Sequence, residues 1–393
     1  MKLAYLCADP GVPVYGTKGC SLHVQEIVRA FDRIGLTGTL FAQRVDGKAP
    51  ADLEHIEVVE LPALPAVGGP ARERALQAAN TGIARQVSGR GPFDIVYERY
   101  SLWSHAGLSA GKVAGAVTVL EVNAPLIEEQ ARFRELHDKK AALNTSLRAF
   151  AAADVIVAVS DGVARYLEQF AQARNKVHVI PNGVDTARFD HVPAQREERG
   201  EPFTVGFVGT LKPWHGVDIL IEAFARLRAK IPECRLLLVG DGPERTSLAA
   251  QAYSLGVADA VEFAGAVPAA EIPALLARMD VGVAPYPELR DFYFSPLKVY
   301  EYMASALPVV ASSIGQICDV IEDGQDGLLC RPGDADDIVD ACTRLYHDDR
   351  LRNRLGLLAR RKVLADHTWH SVGLHILNLA SLPISGSEKV ALQ

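Results

Sequence analysis

The sequence predicts an α/β protein of two doubly wound, Rossmann-like domains, and three features predict it. At 393 residues the chain exceeds what one ordinary hydrophobic core organises. Short apolar runs alternate with longer helical patterns, the rhythm of a parallel sheet with helices on both faces. Midway, "PNGVDTARFDHVPAQREERGEP" (181–202) breaks that rhythm with Pro, Gly and charge, after which it resumes.

Taken in order, "KLAYLC" reads as a first strand that stops at Asp9-Pro10, too short for a secretory or membrane segment. A helical pattern follows from Leu22 to Ile34 and ends at Gly35. "TGTLFAQ", "IEVVEL", "FDIVYE", "VTVLEV" and "DVIVAVS" supply the remaining strands of the first half. The second half repeats the scheme with "FTVGFVG", "RLLLVGDG", "AVEFAG", "DVGVAP" and "LPVVAS". The expected organisation is a first domain over 1–190 and a second over 200–367. A final helix at about 368–381 is expected to pack back on the first, and a tail over 382–393 has little to bury. Two such domains facing one another would share a central cleft at the carboxyl ends of their strands, where open sheets bind ligands.

Hydrophobic residues make up 49% and charged residues 23%, the balance of a globular protein. A net charge of -7 gives no electrostatic reason to expect nucleic acid. Cys7, Cys20, Cys234, Cys318, Cys330 and Cys342 form neither a C-x-x-C pair nor a zinc-type cluster, and read as reduced, buried thiols of a cytoplasmic protein. No run approaches the roughly 18 apolar residues that cross a bilayer, so any membrane contact is expected to be peripheral.

Several stretches carry candidate chemistry. "GVPVYGTKGCSLHV" places Gly11, Gly16 and Gly19 before a helix at about Ser21, which is either an anion-binding turn or a plain strand-to-helix loop. In "VGTLKPWHG", Thr210, Lys212 and His215 occupy the loop opening the second domain. Lys212 suits a phosphate and His215 suits a hydrogen bond to one; the bland reading is an exposed lysine and a histidine packed beside Trp214. "LVGDGPER" and "VEFAGAV" end strands in glycine, at Gly240 and just before Ala266, either as an open edge for a flat base or as ordinary turns.

"SPLKVYEYMASALPVVAS" reads as a helix capped by Ser295-Pro296 and running into a buried strand. Glu301 stands beside its apolar face. A salt bridge to Lys298 is one account, but Lys before Glu is the weaker order and a first-turn Lys opposes the helix dipole. An anion near the helix start would offset that lysine. In the first half, Glu121 and Asn123 share one side of a strand, and Glu121 is either an acceptor-binding group or a satisfied structural carboxylate. Glu98 and Arg99 end another strand, where Arg99 meets an acceptor or phosphate, or else pairs with Glu98. "GDADDIVDA" is a capped helix start and not a metal motif.

The ordered set "VIPNGVDTARF", "FVGTLKPWHGVDILIEAFARL", "LLLVGDGPE", "VEFAGAV", "DVGVAPY" and "SPLKVYEYMASALPVVAS…DGLLCRPGD" resembles the family-4 retaining glycosyltransferases of GT-B fold, over nearly the whole chain. The resemblance implies that Glu301 accepts hydrogen bonds from both ribose hydroxyls of a nucleotide sugar. It also implies that the helix start at Ser295 to Leu297, with Lys298, faces the diphosphate or sugar. The departures are specific. Tyr293 stands where the family carries a second glutamate, Thr210 and His215 replace its arginine and lysine, and Asn123 replaces a histidine near the sugar. Lys212 is left as the leaving-group cation, helped by the Gly16 backbone N–H.

The implied reaction moves a sugar from a nucleoside-diphosphate sugar, UDP-sugar first, to an acceptor hydroxyl with retention. The acceptor is a small molecule, a glycan or a lipid-linked glycan. No metal or other cofactor is implied, and the departing phosphate takes the acceptor's proton. The rivals are an epimerase or hydrolase on the same fold, and an inactive nucleotide-sugar-binding protein.

Overall fold

A computed structural model of the chain describes residues 1–189, 202–289 and 292–382. It divides into two compact units. One comprises Met1–Asn182, Tyr293–Ser295 and Trp369–Gln393; the other comprises Gly183–Phe292 and Pro296–Thr368.

The first unit holds a seven-stranded parallel sheet. Its strands are β1 (Lys2–Cys7), β2 (Thr37–Ala42), β3 (Glu57–Glu60), β4 (Ile95–Arg99), β5 (Val117–Val122), β6 (Val155–Ala158) and β7 (Val177–Val179), in the order β3-β2-β1-β4-β5-β6-β7. Central strands such as β1 and β6 bury nearly every residue, because helices cover both faces and leave no solvent side for polar alternation. The helix Gly19–Arg33 begins three residues before the expected Leu22. The final helix, Trp369–Leu379, packs on it through Gly373, where a Cβ would come within 2.7 Å of Ile34.

The second unit repeats the topology. Strands β8 (Thr204–Val208), β9 (Arg235–Val239), β10 (Val261–Gly265), β11 (Val281–Ala284), β12 (Val309–Ser312) and β13 (Leu328–Cys330) form a parallel sheet in the order β10-β9-β8-β11-β12-β13. In each sheet the order reverses beside the unit's first strand, at β1/β4 and at β8/β11. Crevices beyond the carboxyl ends of strands open at such points.

The first unit ends at Asn182 and not at 190. The following segment is held by second-unit partners: Val184 bridges Thr368, Arg188 pairs with Glu301, and Phe189 is fully buried. Most of the expected linker, 190–201, and the tail beyond Leu382 lie outside the described residues. Asp334 caps the helix Ala335–His347 by accepting from the N–H groups of Asp336 and Asp337, so "GDADDIVDA" is a helix start. All six cysteines are free, but Cys318 is exposed and Cys20 half-buried, against the expectation that all are buried. Among the described residues no helix is long and apolar enough to cross a membrane.

Candidate functional site

In the second unit the chain leaves β8 at Gly209 and turns back at Gly216 to start the helix Val217–Lys230. Gly216 has φ 67°, and a Cβ there would sit 1.8 Å from the Pro285 carbonyl oxygen. Gly240, at φ 137°, passes so close to Gly209 that a Cβ would sit 1.9 Å from its carbonyl oxygen. These two positions admit only glycine, and together they fix the loop carrying Thr210, Lys212 and His215. Gly240 is therefore not an open edge: its N–H donates to Gly265 O at 2.8 Å. Ala266, just after β10, is exposed.

Lys298 points into this loop from the helix Leu297–Ala304. It is 8% exposed, and its ammonium donates to Tyr286 Oη at 2.9 Å. The same group lies 5.0 Å above the Phe207 ring and 4.8 Å above that of Tyr286. Among the described residues no carboxylate comes within the 4.0 Å of a salt bridge to this buried positive charge. The bridge to Glu301 allowed by the sequence is not formed.

His215 hydrogen-bonds the Thr210 carbonyl through Nδ1. Burial, then the Lys298 charge, pulls its pKa down to about 3. The ring is neutral at physiological pH, which corrects the expectation of a histidine that donates a hydrogen bond to a phosphate. With Nδ1 donating to the backbone, Nε2 is left as an acceptor. Lys212 is half-buried, with its ammonium 5.5 Å from the Trp214 ring centroid.

Glu301 sits on the same helix, its side chain 19% exposed. Oε1 meets Arg188 Nη1 at 3.3 Å, and Arg188 Nη2 donates to Ala269 O at 2.6 Å. Burial raises the carboxyl pKa, opposed by Arg188 and by Lys298. Arg188 was not among the expected site residues, although it lies in "VIPNGVDTARF". The helix is not capped as expected: its N-cap is Pro296, and Ser295 Oγ instead accepts the Asn182 N–H at 3.2 Å. Leu297 is the first helical residue. Tyr293 packs against the first unit's core, with its carbonyl accepting from Ser160 Oγ at 2.7 Å.

In the first unit the carboxyl ends of β4 and β5 carry a buried polar network around Glu121, which is 2% exposed. Asn123 Nδ2 donates to Oε1, and Tyr97 Oη donates to Oε2. His23 Nε2 lies 3.0 Å and Arg99 Nη1 3.4 Å from Oε1. Arg99 Nη1 also lies 3.2 Å from His23 Nδ1. Burial alone would raise the Glu121 pKa; His23, Arg99 and Tyr97 outweigh it and hold the pKa at about 2. Glu121 is thus the satisfied structural carboxylate of the two alternatives, and it orients Asn123. Because Asn123 donates inward through Nδ2, its amide oxygen takes no part in this network. His23 was missed; its only sequence signal is its place directly after the glycine loop.

Glu98 is fully buried on the opposite face of β4, where it accepts from Ser104 Oγ and burial pushes its pKa up to about 7. It is neither an acceptor contact nor the partner of Arg99, since adjacent strand residues point to opposite faces. Gly16 is also corrected: its N–H donates to Pro13 O at 2.9 Å and is not free for a phosphate. Among the described residues no group of three or more His, Cys, Asp or Glu is placed to hold a metal ion.

Two parallel-sheet units, with a buried cation and a half-buried carboxylate on one helix of the second, define a GT-B type protein. Residues 17–188 match Glycosyltransferase Family 4, and residues 202–348 match Glycosyl transferases group 1. The chain belongs to the family-4 glycosyltransferases. It is 32% identical over 239 residues to a GDP-mannose-dependent alpha-(1-6)-phosphatidylinositol monomannoside mannosyltransferase of Mycolicibacterium smegmatis, covering 58% of this chain and 62% of that one. The match therefore spans less than two thirds of that relative's length. A D-inositol 3-phosphate glycosyltransferase of Stackebrandtia nassauensis is 28% identical over 369 residues, 86% of this chain and 81% of its own. Anabaena HepE, solved with UDP and glucose, superposes with a TM-score of 0.74 at 20% identity, covering 97% of this chain and 99% of HepE.

Proposed function

We propose that the protein is a retaining, metal-independent glycosyltransferase. It takes a sugar from a nucleoside diphosphate, UDP foremost, and delivers it in the cytoplasm to a hydroxyl of an acceptor held by the first unit. The observation that carries this reading is the helix Leu297–Ala304. Among the described residues no carboxylate lies within 4.0 Å of its buried ammonium, which sits beside the β8 loop, and the helix carries a half-buried carboxylate three residues further on. A diphosphate answers the first and a ribose cis-diol the second. Arg188 engages only Oε1 of Glu301, so Oε2 is available to the diol. HepE, solved with UDP and glucose, supports the uridine choice; the mannosyltransferase relative, by name GDP-mannose-dependent, supplies the competing base.

In the proposed reaction the bond from the sugar C1 to the diphosphate oxygen breaks as a bond to the acceptor oxygen forms on the same face. The acceptor's proton passes to the departing phosphate oxygen. Lys298 and Lys212 stabilise the charge that builds there, and neutral His215 accepts from a hydroxyl. Asn123 takes the place of a proton-carrying residue as a neutral hydrogen-bond acceptor.

Calorimetry with UDP and GDP tests this reading. Glu301→Ala is expected to weaken binding of the preferred nucleotide by about 1.5 to 3 kcal/mol, as for a hydrogen bond to a charged group. Unchanged affinity in a folded variant would place the nucleotide elsewhere.

A further inference from the structure

The first unit contains a cavity of about 310 Å³ at the point where its strand order reverses. Ala8 to Pro10, after β1, form one wall, and Ser101 to Ser104, after β4, form the other. Leu76, Leu102 and Trp103 contribute its apolar surface. This is where an open α/β sheet receives a ligand, and the cavity lies within the first unit alone.

Its polar lining is unbalanced in hydrogen-bonding capacity. Both oxygens of Glu73 are spent on backbone N–H groups, those of His137 at 2.8 Å and Asp138 at 2.9 Å. Glu135 lies 3.3 Å from His137 Nε2, and Asp9 Oδ1 accepts the Gly11 N–H at 2.7 Å. Arg72 and Arg134, by contrast, line the cavity with no carboxylate within 4.0 Å among the described residues. Two guanidiniums from separate elements therefore have ten N–H donors to offer, as fixed by their chemistry. The helix Gly69–Arg90, whose first turn carries Arg72, adds an N-terminus with no side-chain cap and no acidic residue in that turn. Oδ2 of Asp9 is one acceptor left for a hydroxyl.

We infer that this cavity binds a phosphate-bearing, polyhydroxylated acceptor, its phosphate held between Arg72 and Arg134 and a hydroxyl held by Asp9. The inference rests on the glycosyltransferase reading for the word acceptor, but the anion site does not. A tetrahedral dianion accepts from two guanidinium forks at once, and the apolar surface takes the carbon face of the ring.

The test is titration of the full chain saturated with UDP, so that phosphate cannot report from Lys298. Glucose 6-phosphate is compared with glucose, and phosphatidylinositol vesicles with phosphatidylcholine vesicles, the second pair reading a lipid source of the same chemistry. At least a tenfold preference is expected for glucose 6-phosphate over glucose, or for the anionic, polyhydroxylated headgroup of phosphatidylinositol over the zwitterionic headgroup of phosphatidylcholine. The double variant Arg72→Gln/Arg134→Gln should abolish that preference and leave the UDP Kd unchanged; both side chains are exposed, so the fold is spared. Equal binding within both pairs, or a preference that survives in the double variant, overturns the inference. Should UDP itself not bind, the reading of the second unit falls, and the same titrations without nucleotide still decide the cavity.

Discussion

Lys298 carries a buried charge with no carboxylate within 4.0 Å among the described residues, and two measurements should move in opposite directions when it is removed. Burying an ion without a partner costs several kcal/mol, so Lys298→Met should leave thermal stability unchanged or raise it. If the ammonium meets the leaving diphosphate, the same change should lower kcat by about a hundredfold to a thousandfold. The loss from Lys212→Ala should be smaller, because that side chain is half-exposed and rests on Trp214. A stable Lys298→Met enzyme with normal kcat would remove Lys298 from the reaction. His215, held neutral well below pH 6, should contribute no loss of rate between pH 6 and 8.

Glu98 gives a residue-scale prediction about stability. Its folded pKa of about 7 lies above the ordinary value of 4.5, so the folded state binds the proton more tightly than the unfolded chain does. That contribution is complete below pH 4.5 and is lost as the pH rises through 7. Glu98→Gln should therefore be more stable than the parent at pH 8 by about 2 to 3 kcal/mol, and the gap should close below pH 4.5. Denaturant melts at both pH values check it, and a gap independent of pH would contradict it. At this scale the sequence disclosed residue types and sides of elements: Glu301 on its helix, Asp334 at its cap, Glu121 and Asn123 on one side of β5. It did not disclose partners. Arg188 reaches Glu301 across 113 residues, and Arg99 takes Glu121 in place of Glu98, because folding and not local spacing joins them.

At the scale of elements, the loop after β8 is held by close backbone approach at Gly240. Gly240→Ala places a Cβ against the Gly209 carbonyl at a φ that L-residues rarely adopt. It should cost more than about 1 kcal/mol of stability and weaken nucleotide binding although it removes no ligand group. Calorimetry on the folded variant checks both, and wild-type affinity would show that the loop does not form the site. Strands of four to six residues were legible from their apolar runs. The three-residue strands β7 and β13 were not, since so short a run carries no period. The break near 181–202 was legible from Pro and Gly, but its edge was not. The segment from Gly183 is recruited by Arg188 and Phe189 to the second unit, and Tyr293–Ser295 joins the first.

For the whole molecule, two sheets sharing one strand order and two matching family segments give the chain its class, and the alternation of strand and helix made that class readable. The acceptor was not readable, because the cavity that bears on it is assembled from segments after β1, β2, β4 and β5 and from two helices, Gly69–Arg90 and Leu126–Phe133. The central claim is transfer with retention, driven by protein cations and needing no metal. It is tested most directly by proton NMR of a reaction supplied with the nucleotide sugar that calorimetry selects, an acceptor and excess EDTA, following the anomeric coupling of the product as it forms. The account predicts sustained turnover and a product whose anomeric configuration equals that of the donor. An inverted product, or turnover abolished by EDTA and restored by magnesium or manganese, would contradict it.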